Sequence, residues 1–372
     1  MNAINFRKRQ ASARKRTCLL SFLFVLGVAA VGVSIWPVIV VCATLYIWAS
    51  SLVIIFEGVS ETTKMMKWGA EFFCDWRSNP DAILIAAIIG VVAICGGTLS
   101  KIFELKRRGA CGVAEKLGGT RIDRRASDLN ERRFYDVVEE TALAFGVPVP
   151  AVYVLRDEDG INACAIGGDL ETSAVAATAG AIRLLTRDEL QGVVAHEFAH
   201  LVNGDVKINM RLLGVLFGIQ ILVVAGLVGL KIEEKWNTAD KGISLEFVWW
   251  ALILSGMVGG FVAGLIRAAI SRQREFLADA TAARATRNPL GLANALKKIG
   301  GLEKGSTLSA PASVETAHLF FGSVFTGACA RFFRTHPDLK RRILALDPTF
   351  DGVFAKVDVA LEGKVENESR DS

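Results

Sequence analysis

Four long apolar runs constrain this 372-residue chain more than any other feature. They cover residues 18–56, 82–99, 212–230 and 247–266. An α-helix rises about 1.5 Å per residue, so about 20 apolar residues cross the roughly 30 Å hydrocarbon core of a bilayer. One such run is compatible with a buried core helix; four predict a membrane protein. A cleaved signal peptide would have an apolar core of only about 7–15 residues, far shorter than the first run, which is therefore read as a retained anchor.

The charges beside the runs predict an orientation. Residues 1–17 carry Arg7, Lys8, Arg9, Arg14, Lys15 and Arg16 and no acid, which places them in the cytoplasm. Lys101, Lys106, Arg107 and Arg108 follow the second run, and Arg267, Arg272 and Arg274 follow the fourth. Residues 57–81 are acidic on balance and 231–246 hold no basic excess. About four spans, with both termini and the middle segment inside, satisfy this pattern. A hairpin turning at "SIWP" within 18–56 would put the middle segment outside, against the charge at 101–108, so one long or kinked span is preferred. The divisions are then a basic N-terminus (1–17), an N-terminal membrane region (18–100), a catalytic-type domain interrupted by a membrane hairpin (101–346) and a polar tail (347–372).

The formal net charge of +5 sits beside apolar runs and forms no nucleic-acid stripe, so a nucleic-acid partner is not expected. The seven cysteines include no C-x-x-C pair, which argues against both a disulfide framework and a cysteine zinc site.

Between the second and third runs the pattern is that of a folded α+β segment. "LNERRFYDVVEETALAFGV" has helical periodicity, with Phe134, Val137, Val138, Ala142 and Leu143 on one side. "PAVYVL" and "SAVAATA" read as strands. Thr186 and Glu189 form a capping box that opens a helix. Residues 271–287 read as helical, Asn288 and Pro289 as the start of a helix, and His336-Pro337 as the opening of a last one through Leu346.

The helix after the capping box carries "VVAHEFAHLVNGD". Two of the chain's four histidines, His196 and His200, fall in one H-E-x-x-H there. Residues four apart on a helix lie about 40° apart around its axis, so both imidazoles can hold one Zn²⁺. Glu197 lies about 100° round, beside the ion, where a general base belongs. The competing reading is two histidines on a helix surface. A catalytic zinc needs a third protein ligand. His318 and His336 are the remaining histidines, but "SRQREFLADA" offers a better candidate: Glu275 as ligand, with Asp279 one turn on to accept the outer N–H of a ligand histidine. An ordinary exposed acid beside Arg272 and Arg274 is the alternative for Glu275. Gly214 and Gly218 on run three, and Gly256, Gly260 and Gly264 on run four, would let those two runs pair closely and bring the two motifs together.

Together "HEFAHLVNGD", "SRQREFLADA", "GINACAIGG" and "THPDLKRRI" resemble the HtpX-like and CAAX-prenyl-protease-like integral-membrane zinc metallopeptidases, over about residues 101–346. The first 80 residues lie outside the resemblance. It implies a mainly α membrane protein with a cytoplasmic α+β zincin-like domain bearing a small β-sheet. It implies one zinc on His196, His200 and Glu275, with Glu197 catalytic. It also implies that "INACAIG" is an edge strand pairing with substrate backbone, with Asn162 and Ala163 matching that motif. Cys164 stands where relatives often have an aromatic residue. Asn203 and Asp205 match the N-G-D after the helix, with a role at the site, including toward substrate, or in holding the helix end. His336 and Arg342 match a distal H-P-x-x-x-x-R and would donate to the oxyanion of a tetrahedral intermediate; capping by His336 and an acid partner for Arg342 are the structural alternatives.

The function that follows is a zinc-dependent endopeptidase in a bacterial inner (plasma) membrane, with its site on the cytoplasmic side. Its expected partners are polypeptides, above all misfolded membrane proteins, and the lipid bilayer; assembly with further copies of the chain is left open. A specific prenyl-type processing protease and a non-catalytic, zinc-stabilised membrane scaffold are the competing functions. Four spans argue against the first and an intact Glu197 against the second.

Overall fold

The computed structural model describes residues 80–167, 169–236, 246–302 and 336–355, together with residues 11, 15 and 17–22. The expected first span beyond residue 22, the loop expected at 303–316, His318 and the tail expected at 362–372 lie outside the described residues. Most of the described chain is helical, with one small mixed sheet. The chain divides into two compact units. One holds the described residues of Met1–Ser21, Leu105–Met210 and Arg267–Ser372; the other holds those of Phe22–Glu104 and Arg211–Ile266.

The first unit is built round the sheet of β1 (Thr120–Ile122), β2 (Ala151–Leu155), β3 (Ala163–Ile166) and β4 (Ala174–Thr178), in the order β1-β2-β4-β3. Strands β2 and β4 are parallel and both outer pairings are antiparallel, so β3 is an edge strand. Side chains alternate across a strand. Val152, Val154, Ala163, Ala165, Val175 and Ala177 therefore join the main core, while Tyr153, Leu155, Cys164, Ile166, Ala174 and Ala176 form a second cluster with Ala110, Ala114 and Leu117. Ala110 and Ala114 belong to the end of α1 (Pro80–Lys116), and Leu117 follows it; all three lie beyond Gly109, whose φ of 65° and ψ of 164° break the helix in a conformation suited to glycine. Cys164 thus points away from the face that carries the histidines.

Helix α2 (Leu129–Phe145) packs on the main core face with Phe134, Val137, Val138, Thr141 and Ala142. Leu143, expected on that side, is 82% exposed. It sits about 100° round from Ala142, off the stripe, and Thr141 takes the inward place by bonding its hydroxyl to Val137 O at 2.7 Å. A short α3 (Ala179–Leu184) leads into α4 (Arg187–Val202), which opens with the expected capping box between Thr186 and Glu189. Helix α4 is buried along nearly its whole length. It lies very close to α7 (Pro289–Gly301): a Cβ on Gly192 would stand 2.5 Å from Leu292 N, and one on Gly291 would stand 2.5 Å from Asp188 O. The last helix, α8 (Leu339–Leu346), starts later than expected, because Asp338 rather than His336 caps it by accepting from Lys340 N.

In the second unit the apolar runs form α1 up to Glu104, and the inner parts of α5 (Asp205–Trp236) and α6 (Glu246–Thr286). Asp205–Lys235 and Val248–Thr286 are both long and apolar enough to cross a membrane. The expected span at 82–99 is helical within α1. Two of the glycines are used differently from the expectation. A Cβ on Gly214 would meet Ile102 and one on Gly218 would meet Ile94 O at 2.4 Å, so these two residues seat α5 against α1. The approach of α5 to α6 uses Gly256 as expected, which faces Val223, and also Gly226 and Gly229, which face Ile253 and Trp249; Gly260 has open space beside it. Glycine admits close backbone approach wherever a neighbour presses, and spacing alone does not say which neighbour that is.

Candidate metal centre

The capping box fixes the start of α4, and its packing against α7 fixes its position, so the imidazoles four residues apart project together. The His196 and His200 rings meet edge to face with centroids 4.6 Å apart, and their Nε2 atoms are 3.0 Å apart. Glu275, from α6, brings Oε2 to 3.6 Å from His196 Nε2 and Oε1 to 3.4 Å from His200 Nε2. One donor atom from each of the three lies within 4.8 Å of the others. Donors about 2 Å from a shared zinc in a tetrahedral set stand roughly 3.3 Å from one another. Glu275 Oε2 is buried and accepts no hydrogen bond among the described residues, although Arg342 Nη1 at 2.9 Å and His336 Nδ1 at 3.1 Å stand within ion-pairing distance. Two ring nitrogens facing each other and a buried carboxylate with an oxygen turned toward each of them fit a divalent cation, and the two-nitrogen, one-oxygen set is that of a hydrolytic zinc site.

The outer ring nitrogens show how the imidazoles are held. His196 Nδ1 lies 2.9 Å from Asp279 Oδ1, and His200 Nδ1 lies 2.6 Å from Asp205 Oδ2. An aspartate at Nδ1 takes that N–H and leaves the Nε2 lone pair free to bind a metal ion. Asp205 reaches His200 because the chain turns sharply at Gly204, with a φ of 72°, so that α5 begins at once beside the end of α4. Arg342 is fully buried and grips Asp279 with two hydrogen bonds, Nε to Oδ2 at 2.9 Å and Nη2 to Oδ1 at 2.7 Å. Its third nitrogen faces Glu275. The acid partner is thus what the structure displays for Arg342, where the motif suggested an oxyanion donor. Arg274, read from the sequence only as a membrane-flank charge, is also buried; it donates to Asp205 through Nε and to Asn203 O through Nη2. No sequence signal links Arg274 to an acid 69 residues away.

Glu197 is buried and accepts a hydrogen bond at 2.9 Å from Ala165 N on the edge strand β3. Burial pushes its carboxyl above the ordinary range, against the lowering effect of the two histidines. Burial pushes the His200 imidazole down, but the Asp205 and Glu275 carboxylates overcome it and raise it well above its ordinary value. Asn162 Oδ1 accepts from Ala163 N at 2.9 Å. The two β3 amides that point away from β4, at Ala163 and Ala165, therefore both have acceptors within the molecule. Asn203, expected toward substrate or as holding the helix end, stands at the C-cap of α4 and directs its side-chain amide to Thr281 Oγ1 at 3.3 Å. His336 stands against Glu275 with both ring nitrogens outside hydrogen-bond geometry among the described residues.

Residues 128–349 match Peptidase family M48, a stretch that contains every one of these site residues. The Protease HtpX homolog of Thermoanaerobacter pseudethanolicus is 38% identical over 221 residues, 57% of this chain and 70% of the relative. That of Streptococcus gordonii is 31% identical over 279 residues, 72% of this chain and 86% of the relative. Among solved structures, S. mikatae Ste24p aligns with a TM-score of 0.40 at 16% identity, covering 85% of this chain and 67% of that one. Family match, buried two-histidine, one-glutamate cluster and apolar helices agree: the chain belongs to peptidase family M48 and is a membrane metalloprotease.

Proposed function

We propose that this protein is a zinc-dependent endopeptidase that hydrolyses unfolded or damaged membrane proteins at the cytoplasmic face of a bacterial inner membrane. The observation that carries the reading is the convergence of His196, His200 and Glu275 beside a buried Glu197 that is itself hydrogen-bonded to an edge strand. The basic flanks at 101–108 and 267–274 support the cytoplasmic side.

In this reading His196, His200 and Glu275 hold the zinc, while Asp279 and Asp205 orient the two imidazoles. When bound, zinc supplies Lewis-acid polarisation that makes water nucleophilic near neutral pH. Glu197 accepts a proton from the water whose oxygen adds to the scissile carbonyl carbon, then returns it to the departing amine as the C–N bond breaks. His336 donates to the developing oxyanion, and Arg342 keeps Glu275 and Asp279 in place. An extended substrate adds to β3 next to Asn162 and Ala163, exchanging the internal acceptors of the Ala163 and Ala165 amides for its own carbonyls.

The test compares wild type with Glu197→Gln, purified in detergent, for zinc content and casein cleavage. Equal zinc with cleavage lowered about 10²–10⁴-fold is the expected result. If both forms hold zinc and neither cleaves any unfolded polypeptide, the endopeptidase reading is overturned.

A further inference from the structure

The two ligand histidines are held by matching three-residue chains. On one side Arg342 binds Asp279, and Asp279 binds His196 Nδ1. On the other Arg274 binds Asp205 Oδ1, and Asp205 Oδ2 binds His200 Nδ1. The chain through Arg342 uses a residue of the distal motif. The chain through Arg274 uses one that the motifs do not single out. Resting on the metal-site reading above, we propose that Arg274 is a positioning residue: it locks Asp205, and through Asp205 the ring of His200, in the orientation that presents Nε2 to the metal.

The geometry explains why an arginine stands there. Asp205 is 4% exposed and sits at the start of a long helix, with His200 on one carboxylate oxygen and Arg274 on the other. A buried carboxylate with a guanidinium on one oxygen has its charge balanced there and is held in place to receive the imidazole on the other. Arg274 adds a second tie by donating to Asn203 O, the carbonyl just beyond the histidine helix, at 2.5 Å. The same guanidinium therefore fixes both the acceptor of the His200 N–H and the end of the helix that carries His200. Arg274 immediately precedes Glu275 in the sequence. One turn of α6 thus supplies a metal ligand and the support of another ligand.

The test uses the full chain purified in detergent, with zinc affinity read by competition with a chromogenic chelator and folding read by thermal unfolding. Arg274→Gln is expected to weaken zinc binding about 10–100-fold, the usual cost of removing a support behind a metal ligand. Arg274→Lys, which keeps the charge but loses the planar fork, is expected to fall between it and wild type. Excess zinc should bring casein cleavage by Arg274→Gln back to within about fivefold of wild type, because Arg274 touches no reacting atom and the deficit is one of metal occupancy. In an Asp205→Asn background either Arg274 change should add less than about twofold. If Arg274→Gln does not fold, Arg274→Lys with the Asp205→Asn cycle carries the test. Zinc affinity within about twofold of wild type in a folded variant, or fully additive losses in the double variant, overturns the proposal. Glu275→Ala separates the two readings. Zinc lost there but unaffected by Arg274 overturns only the role of Arg274, whereas zinc retained there overturns the metal centre and this proposal with it.

Discussion

The two units of this protein specify position by opposite means. Around the histidines, buried charges are matched atom to atom: Arg342 to Asp279 and Glu275, Arg274 to Asp205, Asp279 and Asp205 to the two imidazoles. Among the apolar helices, position is set by side chains that are missing, where Gly218 lets α5 reach Ile94 O and Gly256 lets α6 reach Val223. Charge pairing is directional and punishes the loss of one partner, because the other is left buried and uncompensated. Close approach has no direction and punishes added volume instead. The first unit should therefore be sensitive to deletion and the second to insertion.

The largest effect that sharpens this contrast is expected at Arg342. Replacing this fully buried side chain by methionine keeps most of the volume but strands Asp279 and Glu275. A loss of about 3–5 kcal/mol is expected in thermal or denaturant unfolding of detergent-purified protein. A loss under about 1 kcal/mol would mean that volume, not charge matching, holds the site. A smaller effect, about 1–3 kcal/mol, is expected for Gly218→Ala, whose new methyl would meet the backbone of α1. Gly260→Ala, with open space beside it, is its internal control and should change the unfolding temperature little. Equal losses at the two glycines would break the account of the apolar unit.

The smallest effect concerns a charge pair away from the metal centre. Asp347 is lowered to about 2 by its bonds with Lys297 Nζ, 2.8 Å away, and with Thr349. A carboxyl lowered in the folded state stabilises above its unfolded value of about 3.9 and loses that contribution as pH falls from about 4 to about 2. Asp347→Asn should therefore flatten the stability–pH curve only across that acid window. A change of slope near neutrality would assign the effect to another group.

Local features were legible in the sequence because neighbours along the chain decide them. The i, i+4 spacing of the histidines, the Thr186–Glu189 box, the Asn288 cap ahead of Pro289 and the strands around 151–155 and 174–178 all depend on residues within a turn or two. The meeting of Glu275 with the histidines was also legible, because a second ligand-type motif stood in the chain to be matched to the first. Two readings failed for one shared reason, that one-dimensional spacing does not name a partner. Gly214 and Gly218 were assigned to run four and face α1. Leu143 was placed on the buried stripe and faces out.

By itself, then, the sequence determined the helix that bears His196, Glu197 and His200, the suitability of those residues for a metal ion, and the lengths that fit a membrane. Only the tertiary structure decided which arginine answers which aspartate. Arg342 and Asp279 are 63 residues apart, and Arg274 and Asp205 are 69 apart. Several basic side chains stand near each acid in the sequence, and nothing local ranks them. The choice is made when helix packing buries one guanidinium beside one carboxylate, because a buried charge must find its partner within reach.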